Sequence, residues 1–177
     1  MPVDLNKFIR AVPDFPKKGI VFRDITPLLS FPPAFREAVD TIADYFHGRH
    51  IDAVAAIEAR GFIFGAAVAY QLGVGFIPIR KKGKLPYRTR KETYELEYGT
   101  DTIEMHEDAV AEDQNILLVD DLLATGGTMA ACCNLIEEAG AHVAGIGFVI
   151  ELSFLQGRDK LRGRDVLALV DFPSERD

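Results

Sequence analysis

The sequence has little cysteine, no metal-binding histidine motif and no long apolar run. Its two cysteines, Cys132 and Cys133, are adjacent on a helical pattern, so we expect small core residues in a reducing compartment. The four histidines form no HExxH motif, and no Cys/His spacing suits tetrahedral zinc. No stretch approaches the ~18 apolar residues of a membrane helix, and the N-terminus lacks a signal-peptide core. We therefore expect a cytoplasmic protein with no membrane partner.

Positive charge is scarce overall and concentrated in one place. The chain carries 20 Lys and Arg against 27 Asp and Glu, a net charge of -7. This balance argues against a general nucleic-acid binder, whose duplex-facing surface is usually basic. Seven basic residues and no acidic one nevertheless lie between Arg80 and Lys91 (RKKGKLPYRTRK). Such a cluster indicates either a local anion site or a solvated charged loop.

The apolar pattern favours one α/β domain over residues 1–177. Asp52–Ile57 and Asn115–Val119 have the length of buried strands, and each precedes a glycine-containing turn and a helical pattern. This alternation predicts a mostly parallel sheet with helices on both faces. Further strands are predicted at 75–79, 142–150 and 166–170, and helices at 34–47, 62–72 and 128–139.

Two segments interrupt the alternation. Residues 1–33 include the proline-containing run VPDFPKKGIVFRDITPLL, which predicts an ordered, irregular cap over the sheet. Residues 81–105 begin with polar residues and end in two alternating runs, YELEY and TIEM, which are typical of a long excursion ending in a hairpin. Loops of that length are usually functional lids or disordered, and we favour a flexible lid.

The strongest chemical signal is ILLVDDLLATGGTM, residues 116–129. A buried strand carries Asp120 and Asp121 to its carboxyl end, the edge where open α/β sheets bind ligands. The glycines and threonines of 124–128 then open a helix, where exposed N–H groups and the helix dipole favour a phosphate. Carboxylates accept hydrogen bonds from vicinal hydroxyls, so the two features together favour a phosphorylated sugar. The alternative is that the acids only cap the following turn.

These residues resemble the signature of type I phosphoribosyltransferases, and within that family the members that act on adenine. The resemblance runs from Val12 to about Arg164. It rests on five motifs in the expected order: VPDFPKKGIVFRDITPLL, AIEARGFIFGAAVA, RKKGKLP, YELEYGTDTIEMHEDA and VDDLLATGGTM. It implies the type I phosphoribosyltransferase fold, with residues 1–33 as a hood over the base site and 81–105 as the lid.

The resemblance also implies a reaction: adenine and 5-phosphoribosyl 1-pyrophosphate give AMP and pyrophosphate, with Mg²⁺ required and a homodimer as the active form. Family positions make Arg60 and Lys84 ligands of the leaving pyrophosphate and Glu97 the acid/base at N7 of the purine. The metal is implied to be held mainly by substrate pyrophosphate and ribose hydroxyls, not by protein side chains. The implied substrate-binding residues are Val21, Phe22, Arg23, Arg60, Arg80, Lys84, Tyr98, Asp120, Asp121, Leu122, Ala124, Thr125, Gly126, Gly127 and Thr128.

Several alternatives remain at this point. Without the resemblance, Arg60 has the alternative of a surface residue paired with Glu58, and Val21 and Phe22 are interpreted as core residues. A phosphoribosyltransferase for another base would share the phosphate-binding residues 124–128 and the two adjacent acids. A non-catalytic regulator that senses a sugar phosphate is the alternative outside enzymology, but no DNA-binding module is appended to the chain. The FRDITPLL cap and the LEYGT segment favour adenine.

Overall fold

The computed structural model describes residues 2–96 and 99–175. Over these residues the strands are β1 (Arg10–Pro13), β2 (Val21–Asp24), β3 (Ala53–Ile57), β4 (Gly75–Lys81), β5 (Thr89–Glu95), β6 (Thr100–His106), β7 (Asn115–Leu123), β8 (His142–Glu151) and β9 (Val166–Asp171). The helices are α1 (Thr26–Ser30), α2 (Pro32–Phe46), α3 (Arg60–Leu72) and α4 (Gly127–Glu138), with short 3₁₀ helices at Leu5–Phe8, Ser153–Leu155 and Gly157–Leu161. In this part of the chain no helix combines the length and apolar character needed to span a bilayer.

The main sheet confirms the predicted α/β architecture. Within the described residues its seven strands run in the order β5-β6-β4-β3-β7-β8-β9. The five strands from β4 to β9 in that order are mutually parallel, whereas β6 pairs antiparallel with both β4 and β5. Because β3 and β7 are central and adjacent, the loops that follow them meet at one edge of the sheet.

Two apolar layers cover the sheet. Alternate residues of β7 face opposite sides: Ile116 and Leu118 pack with α4, whereas Leu117 and Val119 pack with α2 and α3. Helix α2 approaches β8 so closely that a Cβ on Gly145 would lie 2.3 Å from Cε1 of Phe46. Burial on both faces explains why these strands read as continuous apolar runs.

The two irregular segments are more regular than the sequence predicted. The cap contains an antiparallel hairpin, β1–β2, followed by the short helix α1. The expected hairpin of 81–105 is present as β5–β6, but β6 pairs with β4 through Arg80↔Glu104 and Lys81↔Ile103. This hairpin is therefore an extension of the main sheet, and Arg90 and Lys91 lie on a strand instead of a loop.

Candidate active site

A cavity of about 410 Å³ opens at the carboxyl ends of β3 and β7. The loop 58–61 follows β3 and leads into α3, and the loop 124–126 follows β7 and leads into α4. Strand β7 continues past the predicted end at Val119 to Leu123, because Leu122 and Leu123 pair with Ile150 and Glu151 of β8. The two acids therefore lie within the last residues of the strand.

Asp120 and Asp121 line this cavity in different surroundings. Asp121 is buried at 5% exposure, and its Oδ2 lies 2.8 Å from Nε of Arg60. This contact is an ion pair without hydrogen-bond alignment, so Oδ2 has no hydrogen bond within the described structure. Burial raises the pKa of Asp120 well above its usual range, and the charge of Asp121 adds to the effect. The two carboxyl groups therefore lie side by side in a buried site, where a negative charge on one disfavours a charge on the other and the Arg60 guanidinium balances Asp121.

Glycine is required at position 61 because the first turn of α3 lies against Asp120. A Cβ at this position would lie 2.7 Å from Oδ1 of Asp120. The peptide bond between Glu58 and Ala59, at the start of the same loop, is cis. Glycine therefore lets the first turn of α3 reach the Asp120 carboxylate.

The cradle of 124–128 is built against the segment Gly157–Leu161. Gly126 has φ +81°, and a Cβ there would lie 2.3 Å from the carbonyl oxygen of Gly157, so no other residue fits. Gly126 caps α4, whose first N–H groups open toward the cavity. The hydroxyl of Thr128 donates to Tyr94 Oη at 3.2 Å. The cradle thus combines backbone donors with a hydroxyl pair.

The loop 58–61 is braced by the basic segment. Glu58 accepts from Nε and Nη2 of Arg80 at 3.1 and 3.4 Å and from the N–H of Lys81 at 2.9 Å. Burial raises the pKa of Glu58, but these hydrogen bonds outweigh it and lower the pKa overall. Arg80 also donates to the carbonyl of Lys84 at 3.3 Å. Glu58 therefore pairs with Arg80, and Arg60 pairs with Asp121, so the alternative of an Arg60–Glu58 pair is wrong.

The outer edge of strand β2 of the cap, the one not paired with β1, lies near this cavity. The N–H of Val21 donates to Oε1 of Glu175, and the carbonyl of Arg23 accepts from Nη1 of Arg60 at 3.5 Å. Alternate residues of a strand direct their N–H and C=O groups to the same edge, so residues 21 and 23 both point away from β1. The Arg60 guanidinium also lies 4.9 Å from the centroid of the Phe22 ring.

The cavity brings together many of the predicted residues. Its lining includes Arg60, Asp120, Asp121, Leu122, Ala124, Thr125, Gly126, Gly127 and Thr128. Val21, Phe22 and Arg23 lie on the cap outside that lining. Arg80 and Lys84 are also outside it, with Arg80 bonded to Glu58 and to the carbonyl of Lys84. Glu97 and Tyr98 fall outside the described residues, and their predicted roles stay predictions.

Sequence reasoning missed four residues near the cradle. Tyr94 and Lys81 line the cavity, and Asp101 links them by accepting from Lys81 Nζ at 3.0 Å and Tyr94 Oη at 3.5 Å. Lys160 Nζ lies 3.6 Å from the position of a Cβ on Gly127. Alternation along YELEY could have placed Tyr94 on the inner face of the hairpin, but no local signal marks Lys160.

The side chains that the structure describes do not form a metal cage. Across residues 2–96 and 99–175, no group of three or more His, Cys, Asp or Glu is placed to hold a metal ion. Two carboxylates at the cavity are hard oxygen donors, suited to a cation that keeps most of its ligands from elsewhere.

Comparison with known proteins gives this arrangement a family. Residues 27–166 match the model of the phosphoribosyl transferase domain. The chain is 55% identical over 168 residues to the adenine phosphoribosyltransferase of Maridesulfovibrio salexigens, covering 95% of this chain and 99% of the relative. A crystal structure of the Thermoanaerobacter pseudethanolicus adenine phosphoribosyltransferase superimposes with a TM-score of 0.93 at 54% identity, covering 96% and 98% of the two chains.

A further solved structure carries ligands. The Saccharomyces cerevisiae adenine phosphoribosyltransferase, complexed with adenine and an imino-altritol bisphosphate, matches with a TM-score of 0.88 at 40% identity over 94% of this chain and 96% of that one. At these levels of identity and coverage, likeness extends well beyond the shared fold. The chain belongs to the phosphoribosyltransferase family, in the branch of the adenine phosphoribosyltransferases.

Proposed function

We propose that the protein is a purine-salvage pentosyltransferase that converts adenine and 5-phosphoribosyl 1-pyrophosphate into AMP and pyrophosphate. The observation that carries this proposal is the single cavity lined by a phosphate cradle, two adjacent carboxylates and Arg60. A phosphate, vicinal hydroxyls and a second anionic group are the features of a phosphoribosyl pyrophosphate. Relatives named for this activity are 55% identical over nearly their whole length.

The cavity supports a definite pose for the sugar. The N-terminus of α4 and residues 124–128 would hold the 5′-phosphate, since backbone N–H groups and the helix dipole favour an anion there. Asp120 and Asp121 would accept hydrogen bonds from the ribose hydroxyls. Arg60 and Lys84 would bind the pyrophosphate, with Arg80 holding the loop that carries Arg60 through Glu58.

The outer edge of β2 supports adenine over the 6-oxo purines. Along this edge the carbonyl of Val21 is followed by the N–H of Arg23, an acceptor and then a donor. Adenine offers the complement, a 6-amino donor followed by the N1 acceptor. Hypoxanthine and guanine offer a 6-oxo acceptor followed by an N1–H donor, so both contacts would be repulsive. Leu122 would cover one face of the base, and Val21 or Phe22 the other.

In the chemical step N9 of adenine bonds to C1′ of the ribose while the bond from C1′ to the pyrophosphate oxygen breaks. The sugar passes through an oxocarbenium-like state, whose positive charge the nearby Asp120 and Asp121 would stabilise. Glu97 would act as acid/base at N7 and take up the ring proton that adenine loses as N9 bonds to C1′, a contribution of typically ~10²- to 10⁴-fold. Tyr98 and the rest of 81–105 would close over the site and exclude water.

The reaction needs a metal ion, which we take to be Mg²⁺. Asp120 and Asp121 fit it as hard oxygen groups beside the ribose hydroxyls, and Asp121 Oδ2 is a buried oxygen without a hydrogen bond in the described structure. Bound there, Mg²⁺ would offset the charge that develops on the leaving pyrophosphate. Most of its ligands would come from the pyrophosphate and the ribose hydroxyls.

The organisation that accompanies this function is a single domain over residues 1–177, with residues 1–33 as the hood and 81–105 as the lid. The lid role is supported by the side chains of Tyr94 and Lys81, which reach the cavity from that segment. We take the active form to be a cytoplasmic homodimer, the state implied by the family.

Nucleotide formation from separate bases tests the proposal. The protein is incubated with 5-phosphoribosyl 1-pyrophosphate, Mg²⁺ and one of adenine, hypoxanthine, guanine or xanthine, and each nucleotide is measured. Product with adenine, at a kcat/KM well above that for the other bases, is expected. Product with a 6-oxo purine but not adenine would overturn the base assignment, and binding of the donor without product from any base would favour a sugar-phosphate sensor.

A further inference from the structure

The C-terminal segment returns to the strand assigned to the base. After β9 ends at Asp171, Phe172 lies buried beneath the guanidinium of Arg23, whose Cζ is 4.0 Å from the ring centroid. Glu175 then reaches the edge of β2, where its Oε1 accepts from the N–H of Val21 at 2.5 Å. Its backbone carbonyl accepts from Nη2 of Arg23 at 3.3 Å. Three contacts thus hold this segment over β2, and it lies beyond the residues 27–166 matched by the family model.

The order of groups along β2 gives the Glu175 carboxylate a specific neighbour. The N–H of Val21 donates to the Glu175 carboxylate, and the carbonyl of Val21 is the next group along that edge. The N–H and carbonyl of Arg23 follow, and the carbonyl accepts from Arg60. The carboxylate is therefore adjacent to the carbonyl that we assign to the 6-amino group of adenine.

The chemistry of an amino group makes this adjacency significant. A 6-amino group has two hydrogens, one directed toward the N1 side and one away from it. With the first bound to the Val21 carbonyl, the second points along the edge toward the N–H of Val21, where the Glu175 carboxylate lies. An ionised carboxylate only accepts hydrogen bonds, so it would attract this hydrogen and repel a 6-oxo group.

We infer that Glu175 is a specificity-determining residue that accepts the second hydrogen of the 6-amino group. The inference rests on the proposed function for the position of the base, and it adds a side-chain contact to a recognition otherwise made by backbone. Glu175 is half-buried and is held in place from two sides by Val21 and Arg23, so it is ordered before the base arrives.

A cycle of two proteins and two bases tests this inference. Equilibrium binding of adenine and of unsubstituted purine, which lacks the amino group, is measured for the full chain and for Glu175→Ala. Hydrogen bonds to charged groups predict that adenine binding weakens about tenfold or more in the variant, while purine binding changes less than about twofold. Glu138→Gln, an exposed acid at the end of α4, is the control and should leave both constants unchanged.

Other outcomes would overturn the inference. Equal weakening of both bases would mean that Glu175 only fixes the segment, and tighter adenine binding in Glu175→Ala would mean that the carboxylate occupies the base site as a plug. Glu175→Gln gives a second measurement: its amide adds a donor at the same place, so adenine should again lose affinity relative to purine. A Gln variant with the full adenine preference would contradict the role of the charge.

Binding and turnover separate this inference from the proposed function. A protein that prefers adenine to purine through Glu175 but forms no AMP would contradict the proposed function and support the inference. AMP formation from adenine, with the same adenine-to-purine preference in the full chain and in Glu175→Ala, would support the proposed function and contradict the inference.

Discussion

The guanidinium of Arg60 joins two parts of the molecule that are far apart in sequence: its Nε lies 2.8 Å from Oδ2 of Asp121, and its Nη1 lies 3.5 Å from the carbonyl of Arg23. One contact is with the sugar end of the cavity and the other with the strand assigned to the base. Arg60 therefore lies between the two proposed substrate positions, where it can orient both in addition to its proposed role in binding pyrophosphate.

Replacing Arg60 with lysine should lower the activity although the positive charge is kept. A lysine cannot reproduce the planar fork that contacts Asp121 and the Arg23 carbonyl together. We expect kcat/KM for 5-phosphoribosyl 1-pyrophosphate to fall by about 10- to 100-fold, the value of one or two charged hydrogen bonds. Steady-state kinetics of Arg60→Lys beside Arg36→Lys, an exposed position on α2, measures this. Equal activities in the two variants would remove Arg60 from the mechanism.

The acid pair should set the lower pH limit of activity. Burial and the charge of Asp121 raise the pKa of Asp120, so its carboxylate is lost by protonation at a higher pH than an ordinary aspartate. Since the ribose hydroxyls need an acceptor, kcat/KM should decline as pH falls through this raised pKa. In Asp121→Asn the charge that repels Asp120 is gone, so the pKa of Asp120 should fall. The decline of kcat/KM on the acid side of the pH profile should then move to lower pH, even though the maximum rate is reduced. An acid-side decline at the same pH in both proteins would contradict the effect of Asp121 on the pKa of Asp120.

Alanine at position 61 should damage the site through Asp120. The added Cβ would lie 2.7 Å from Oδ1 of Asp120, so the carboxylate or the first turn of α3 must move. Misplacement by about 1 Å can cost ~10²-fold in rate. Gly75→Ala is the matched control, because a Cβ there meets nothing within 4 Å. Equal kcat/KM values for the two folded variants would argue against a tight fit at Gly61.

Tyr94 should contribute to donor binding. Its hydroxyl accepts from Thr128 in the cradle at 3.2 Å and links it to Asp101. Tyr94→Phe should raise KM for 5-phosphoribosyl 1-pyrophosphate by about fivefold, the value of one hydrogen bond, without changing adenine binding. Tyr70, which is 88% exposed, gives the control Tyr70→Phe. An unchanged KM would show that the Tyr94–Thr128 contact is dispensable.

The two thiols should be inert in the folded protein. Burial raises the pKa of Cys133 to about 11 and that of Cys132 well above its usual value, so little thiolate exists near neutral pH. A chromogenic thiol reagent at pH 8 should therefore react with neither cysteine in the native chain and with both after denaturation. Rapid modification of the native protein with loss of activity would contradict a purely structural role.

Sequence patterns predicted the central fold because its strands are buried on both faces. The predicted strands at 52–57 and 142–150 differ from β3 and β8 by one residue at one end. The acidic end of β7 was placed outside the strand, since Asp120 and Asp121 break the apolar run. Pairing with β8 continues the strand through them, and no local pattern encodes that partner.

Long-range contacts explain what the sequence could not predict. Arg80 matches a pyrophosphate position by motif, but its partner Glu58 is 22 residues away and fixes it behind the loop. Glu175 lies 154 residues from Val21 and follows no periodic segment, so only the folded chain brings them together. The cradle, by contrast, is contiguous in sequence, and its glycines and threonines could be recognised directly.

The proposed reaction is a stoichiometric transfer of the phosphoribosyl group to adenine. The most direct measurement follows adenine, AMP and pyrophosphate together in one reaction with excess 5-phosphoribosyl 1-pyrophosphate and Mg²⁺. We expect AMP and pyrophosphate to appear in equal amounts, each equal to the adenine consumed. Release of pyrophosphate without AMP, or no consumption of adenine, would contradict it.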